Sequence, residues 1–340
     1  VTQQVSIGGR VTGIGSWPGT DARESAATIL GELGGLPHLV ELPARGLGAD
    51  MIGRTGAILV DINLDASTRA YRVTPRRGNI AKRGEDLLNQ DLDALEEAWE
   101  SARLVGSEHV IKLQAAGPLT LGAEIEVANG SRVLVDRGAL RDIAESLGEG
   151  LARHAAEVTR RTGAAVMIQL DEPQLTAVLA GSLPGRTKME SVPALPEPEA
   201  LAVLDTAIAG CALPTMVHSC GADLPWDLLR RSTAFAVSFD LSSISSRDLD
   251  GIGQLFDSGK ELALGLVPAT EPGEPVSWKD CAAPAVTLID RLGFSRELLQ
   301  TRVAVTPTCG LAGAGLDWSR SALKLCTDVG AALTDDPSAF

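Results

Sequence analysis

Aromatic side chains are nearly missing from this chain: one Tyr, five Phe and five Trp in 340 residues. Since 44% of the residues are nonetheless apolar, the core must be built mainly from Ala, Leu, Val and Ile. Cysteine is scarce too. Five residues (Cys211, Cys220, Cys281, Cys309 and Cys326) are an odd number at wide spacing, which excludes a disulfide framework and fits a reduced cytosolic enzyme. Basic charge is in deficit, with 30 Lys and Arg against 44 Asp and Glu and a net charge of −14. That balance argues against nucleic acid and anionic membrane surfaces as partners. No apolar run is long enough to span a bilayer. The stretch Val1 to Gly9 lacks a charged region followed by an apolar core, so no signal peptide is expected and a cytoplasmic location follows.

What the chain does contain is alternation. Eight short β-like runs occur at Val11–Ser16, Leu39–Leu42, His109–Ala115, Ala165–Leu170, Pro214–Ser219, Ala234–Leu241, Leu262–Pro268 and Val303–Thr306. Helical periodicity fills the intervals at Asp21–Leu33, Leu87–Val105, Leu140–Thr162, Glu197–Ala209, Leu224–Arg231, Ser246–Ser258, Ser277–Leu292 and Trp318–Leu333. A strand followed by a helix, eight times over at this length, predicts a single (β/α)8 TIM barrel over residues 1–340. A doubly wound open sheet is the structural rival. Two stretches exceed a minimal barrel. Asp50–Gly84, with Asp61, Asp65 and the basic residues Arg72, Arg76, Arg77, Lys82 and Arg83, reads as an insertion after strand 2 with room for short strands. Gly181–Pro198 is rich in Pro and Gly and reads as a long loop after strand 4. Both could cover the mouth of a barrel.

In a barrel the active site lies at the carboxyl ends of the strands, and reactive side chains crowd these ends. Ser16, Glu41, Gln114, the Asp171-Glu172 pair, His218, Cys220, Asp240 and Cys309 all fall there. The pair His218-Ser219-Cys220 carries the sharpest signal. Residues two apart on a strand share a face, so imidazole and thiol are aimed into one space, and Cys309 is a second thiol able to join them. One His and two Cys suit zinc. Taken alone, each residue also has a plainer reading: a strand-end Cys is often a small core residue, and a strand-end Asp is often a helix cap. Cys211, Cys281 and Cys326 lie in helical patterns and read as packing. His38, His109 and His154 have no comparable partners.

Several motifs, taken together and in order, resemble the catalytic barrel of cobalamin-independent methionine synthase and its short single-barrel relatives. They are Ile14-Gly15-Ser16-Trp17-Pro18, Gly117-Pro118-Leu119-Thr120, Ile168-Gln169-Leu170-Asp171-Glu172-Pro173, His218-Ser219-Cys220, and Pro307-Thr308-Cys309-Gly310-Leu311. The resemblance covers nearly the whole chain. It implies a Zn²⁺ held by His218, Cys220, Cys309 and a carboxylate, with Asp240 standing where the family has Glu. It further implies that Ile14, Gly15 and Ser16 hold the carboxylate of homocysteine, while Asp171, and Glu41 beside it, take its ammonium group. The implied activity is zinc-dependent methyl transfer to that thiol, giving methionine, with Asp171, His218, Cys220 and Cys309 as the catalytic set.

Two departures bear on the methyl donor. The family carries a His after the seventh strand, and Leu264-Gly265-Leu266-Val267-Pro268-Ala269-Thr270 has none. The stretch after Gly117-Pro118 also lacks the family's tryptophan, and the folate-associated amino-terminal half has no counterpart in these 340 residues. Without a proton donor a reduced folate leaves slowly, so the expected donor is a methylated corrinoid protein rather than methyltetrahydrofolate. The alternatives are transfer to another thiol such as coenzyme M, and a catalytically silent zinc-binding barrel.

Overall fold

The computed structural model describes residues 5–67, 71–104, 109–185 and 190–335. Parts of four expectations lie outside these residues: the first four residues of Val1–Gly9, positions 68–70 of the insertion, the carboxyl end of the Leu87–Val105 helix, and positions 186–189 of the Pro/Gly-rich loop. The strands are β1 (Asn63–Ala66), β2 (Tyr71–Thr74), β3 (Val110–Ala116), β4 (Ile125–Glu126), β5 (Ala165–Asp171), β6 (Thr215–His218), β7 (Ala236–Asp240), β8 (Glu261–Val267) and β9 (Val303–Pro307). Six of them form one all-parallel sheet in the order β3-β5-β6-β7-β8-β9, and these match the last six predicted runs to within two residues.

The first two predicted strands turn out differently. Val11–Ser16 and Leu39–Leu42 form no ladder; they hold single parallel bridges, Val11 to Val305, Ser16 to Glu41 and His38 to Lys112. Composition explains the break. Gly13 and Gly15 interrupt the first run, and Gly15 sits at φ +148°, a conformation open mainly to glycine. Pro37 and Pro43 bound the second, and neither has an N–H for a ladder. The described architecture is therefore an α/β fold around a six-stranded parallel sheet whose outer strands, β9 and β3, each bridge one of these two segments.

Side-chain alternation along the sheet separates two cores. One face of each strand packs under the helices: Ile111, Leu113, Val166, Ile168, Val217, Val237, Phe239, Leu262, Leu264, Val303 and Val305 belong to the main cluster. The other face begins with an apolar plug made of Val110, Met167, Met216, Ala236, Ala263 and Ala304, one from each strand, closed by Ile7 and Leu36. Two residues further along, the same face turns polar: Lys112, Gln169, His218, Ser238 and Thr306 are all buried there. The period of two thus carries the interior from a greasy floor to a polar site at the carboxyl ends.

Local signals place the helices. Asp21 caps Ala22–Glu32 and Asp136 caps Arg137–Thr162, each accepting two backbone N–H groups. Ser277 and Asp280 form a capping box on Trp278–Leu292. Within Asp50–Gly84 the described residues form several elements: Asp50 caps the helix Met51–Gly56, β1 pairs antiparallel with β2, and the last residues enter the helix Asn79–Ser101. β2 pairs in parallel with β4. Among the described residues no helix is long and apolar enough to cross a membrane.

Candidate active site and metal centre

β6 ends on His218, which lies in register with Asp171 at the end of β5. Cys220 follows two residues on, and Cys309 lies two residues past the end of β9. One ligand atom from each of His218, Cys220 and Cys309 falls within 4.8 Å of the other two; the sulfurs are 3.2 Å apart. The His218 ring is anchored from behind, with Nδ1 2.9 Å from Ser238 Oγ. Its Nε2 is buried and, among the described residues, has no hydrogen bond of good geometry, although the imidazole is close enough to the Cys309 thiol to lower it; this is a costly arrangement for a polar atom unless something occupies that position. The thiols are polarised against one another. The Cys220 hydrogen bond and the neighbouring imidazole hold Cys309 down to about 4, while donating to Cys309, together with burial, pushes Cys220 far up. Donor set, proximity and an orphaned imidazole nitrogen anchored through its other nitrogen fit zinc.

The three ligands border a cavity of about 230 Å³ that is also lined by Ile14, Ser16, Glu41 and Asp171. Sequence reasoning named all of these. Both carboxylates are buried. Burial and the proximity of Glu41 raise Asp171, against the pull of Lys112; burial raises Glu41, against the pull of Arg54. Two carboxylates, with no cation among the cavity's lining residues, suit a ligand that brings its own positive charge. Gly15, expected beside Ile14 and Ser16, faces the amide of Gln114: a Cβ there would lie 2.6 Å from its Cγ.

Asp240 is not gathered with the other three. Its carboxylate accepts from Ser242 N at 2.8 Å and Ser242 Oγ at 2.7 Å, capping the short turn Leu241–Ser243. The strand-end Asp therefore performs the capping role that its position also suggests.

Several residues of the site escaped the sequence reading. Met51, on the helix of the Asp50–Gly84 stretch, lines the cavity with Pro43, Pro173 and Gly310. Lys112 and Gln169 form a buried network beneath it. Glu172 carries no ligand; it caps the helix Pro118–Glu124, accepting from Leu119 N, Thr120 N and Thr120 Oγ1 at 2.9, 2.7 and 2.6 Å. A charged residue inside an apolar strand pattern was the available signal for Lys112.

Glu172 has a measurable consequence. Burial pushes it up to about 7 from its ordinary 4.5, against the three hydrogen bonds it accepts. Between these values the folded chain holds a proton that the unfolded chain has lost. The stability this contributes is complete below pH 4.5 and is lost as pH rises through 7, by up to about 3 kcal/mol. Denaturation midpoints from pH 5 to 8 should fall more steeply for the wild type than for Glu172→Gln. Parallel profiles would rule this coupling out.

Residues 10–332 match the family described as the catalytic domain of cobalamin-independent synthase. The chain belongs to that family. The fold agrees: a B12-independent methionine synthase from Shewanella sp. W3-18-1, solved in complex with selenomethionine, aligns over 98% of this chain and 100% of its own with a TM-score of 0.64 at 12% identity. A methyltransferase from Methanosarcina mazei aligns over 96% of this chain and 93% of its own, with a TM-score of 0.55 at 13% identity. A search of curated proteins finds no match.

Proposed function

We propose that this chain is a zinc-dependent methyltransferase acting on an amino-acid thiol, homocysteine, and yielding methionine. The observation that carries the reading is the meeting of His218, Cys220 and Cys309 in one small cavity with Glu41 and Asp171. Zinc held by the imidazole and the two thiolates would supply acidity, keeping a substrate thiol deprotonated at neutral pH. Asp240 is the proposed fourth, labile ligand, and to reach the metal it must release Ser242.

The remaining steps fall to the chain itself. Asp171 and Glu41 accept the substrate ammonium, and the Ile14-Gly15-Ser16 segment holds its carboxylate. These contacts orient the sulfur toward the methyl carbon, which it attacks as the donor's leaving group departs. The segment after β8, Val267-Pro268-Ala269-Thr270, offers no imidazole to protonate that leaving group. This supports a donor whose leaving group needs no proton, a methylated corrinoid protein. The bridges to Val11 and His38 support reading the sheet as a closed eight-stranded barrel, with this site at its carboxyl end.

Coenzyme M distinguishes this reading from its rival, because it is a sulfonate thiol without an ammonium group. Titrated by calorimetry, Asp171→Asn is expected to weaken homocysteine binding about tenfold or more, the scale of a hydrogen bond to a charged group, and to leave coenzyme M binding unchanged. Equal losses for both thiols would overturn the role given to Asp171.

A further inference from the structure

We infer that Lys112 is the positioning residue that orients Asp171 toward the ligand, acting through the side-chain amide of Gln169. This rests on the proposal that Asp171 receives the ammonium group of an amino-acid thiol.

Lys112 is wholly buried on β3, on the face that leads up to the cavity. Its Nζ donates to Ile14 O at 3.0 Å and to Gln169 Oε1. Gln169 Nε2 then donates to Ile14 O at 2.8 Å and to Asp171 Oδ1 at 2.7 Å. Burial lowers Lys112 to about 7, against the pull of Asp171 and Glu41. In its ammonium form it has donors only, and it then fixes the amide with its oxygen toward Lys112 and its NH₂ toward Asp171. The carboxylate must answer as an acceptor on Oδ1, which leaves its second oxygen for the cavity that Asp171 lines. Without the ammonium the Gln169 amide could turn over, and its oxygen would then oppose the carboxylate it now holds.

Charge works in the same direction. Burial and the nearby Glu41 raise the cost of ionising Asp171, and Lys112 opposes this. Lys112 reaches no cavity surface, so it touches no substrate.

Calorimetry on Zn²⁺-reconstituted protein tests this with L-homocysteine and 4-mercaptobutanoate, the same thiol chain without the ammonium. The wild type should prefer homocysteine by about tenfold or more. Lys112→Met should lower that preference about tenfold while leaving 4-mercaptobutanoate affinity and zinc stoichiometry unchanged. Gln169→Glu keeps an acceptor for Lys112 but has nothing to donate to Asp171, so it should show the same loss; it decides the matter if Lys112→Met does not fold. A wild-type preference retained in these variants would overturn the inference alone, as would equal loss for both probes. A wild type that does not distinguish the probes would overturn the Asp171–ammonium reading, and this inference with it.

Discussion

Replacing Cys309 with serine is expected to strip stoichiometric zinc from the purified protein and to lower thiol methylation more than about 100-fold. The size follows from the chemistry of the donor. Removing even an outer partner of a metal ligand costs 10–100-fold in affinity or activity, and Cys309 is a proposed ligand itself. Its thiol is already held down to about 4 by Cys220 and the imidazole, so it meets a cation as thiolate, whereas a serine hydroxyl would have to lose its proton first. Ser238→Ala should have a smaller effect, near the 10–100-fold range, because it frees the His218 ring without removing a donor. Cys326→Ser is the control. That thiol is buried in the helix Leu316–Asp335, among apolar neighbours, and its loss should leave zinc untouched. Metal analysis of the three variants checks the set, and a Cys309→Ser protein that still carries one zinc per chain would sink the metal assignment. A wild type with full zinc and no methylation of any thiol would instead favour the silent zinc-binding reading.

Much of this site was legible in the chain because its logic is local. His218 and Cys220 share a face by strand periodicity alone, and Glu41, Asp171 and Cys309 stand where strand-like runs end. What remained hidden depends on contacts between segments far apart. Glu172 sits beside Asp171 in sequence, yet its partners are Leu119 and Thr120, about fifty residues away. Gln169 answers to Lys112 on a different strand, and nothing in either stretch announces the pairing. At Asp240 two readings meet. Resemblance pointed to a ligand, whereas the local geometry has its carboxylate capping the next turn. The helix Asn79–Ser101 begins eight residues before the expected Leu87 because its first turns are too polar to show a stripe. They are held by close packing at Gly84, where an added Cβ would lie 3.3 Å from Gly53 O.

That helix also carries the largest stability effect expected outside the metal centre. Asp91 lies within its apolar stripe, between Leu88 and Leu92, and it is the shared anion of two buried guanidinium groups. Arg45 Nη2 lies 2.8 Å from its carboxylate and Arg54 Nη1 2.6 Å; all three side chains are less than a tenth exposed. Arg54 Nε also reaches toward Glu41 in the cavity, at 3.6 Å. Asp91→Ala would leave two like charges buried together with one distant carboxylate to share. Breaking a buried ion pair by removing one partner costs about 3–5 kcal/mol, which in a chain of this length lowers the melting temperature by roughly 4–7 °C. Asp91→Asn should lose nearly as much, since it keeps the shape and removes the charge; recovery by Asn would show that volume governs here. The damage should also reach the site. Released from Asp91, Arg54 is expected to move onto Glu41 and compete with a ligand's ammonium group, so homocysteine binding should weaken while coenzyme M binding holds. Thermal melts and calorimetry on the same two variants separate these effects, and an unchanged homocysteine affinity would mean that Glu41 is insulated from the cluster behind it.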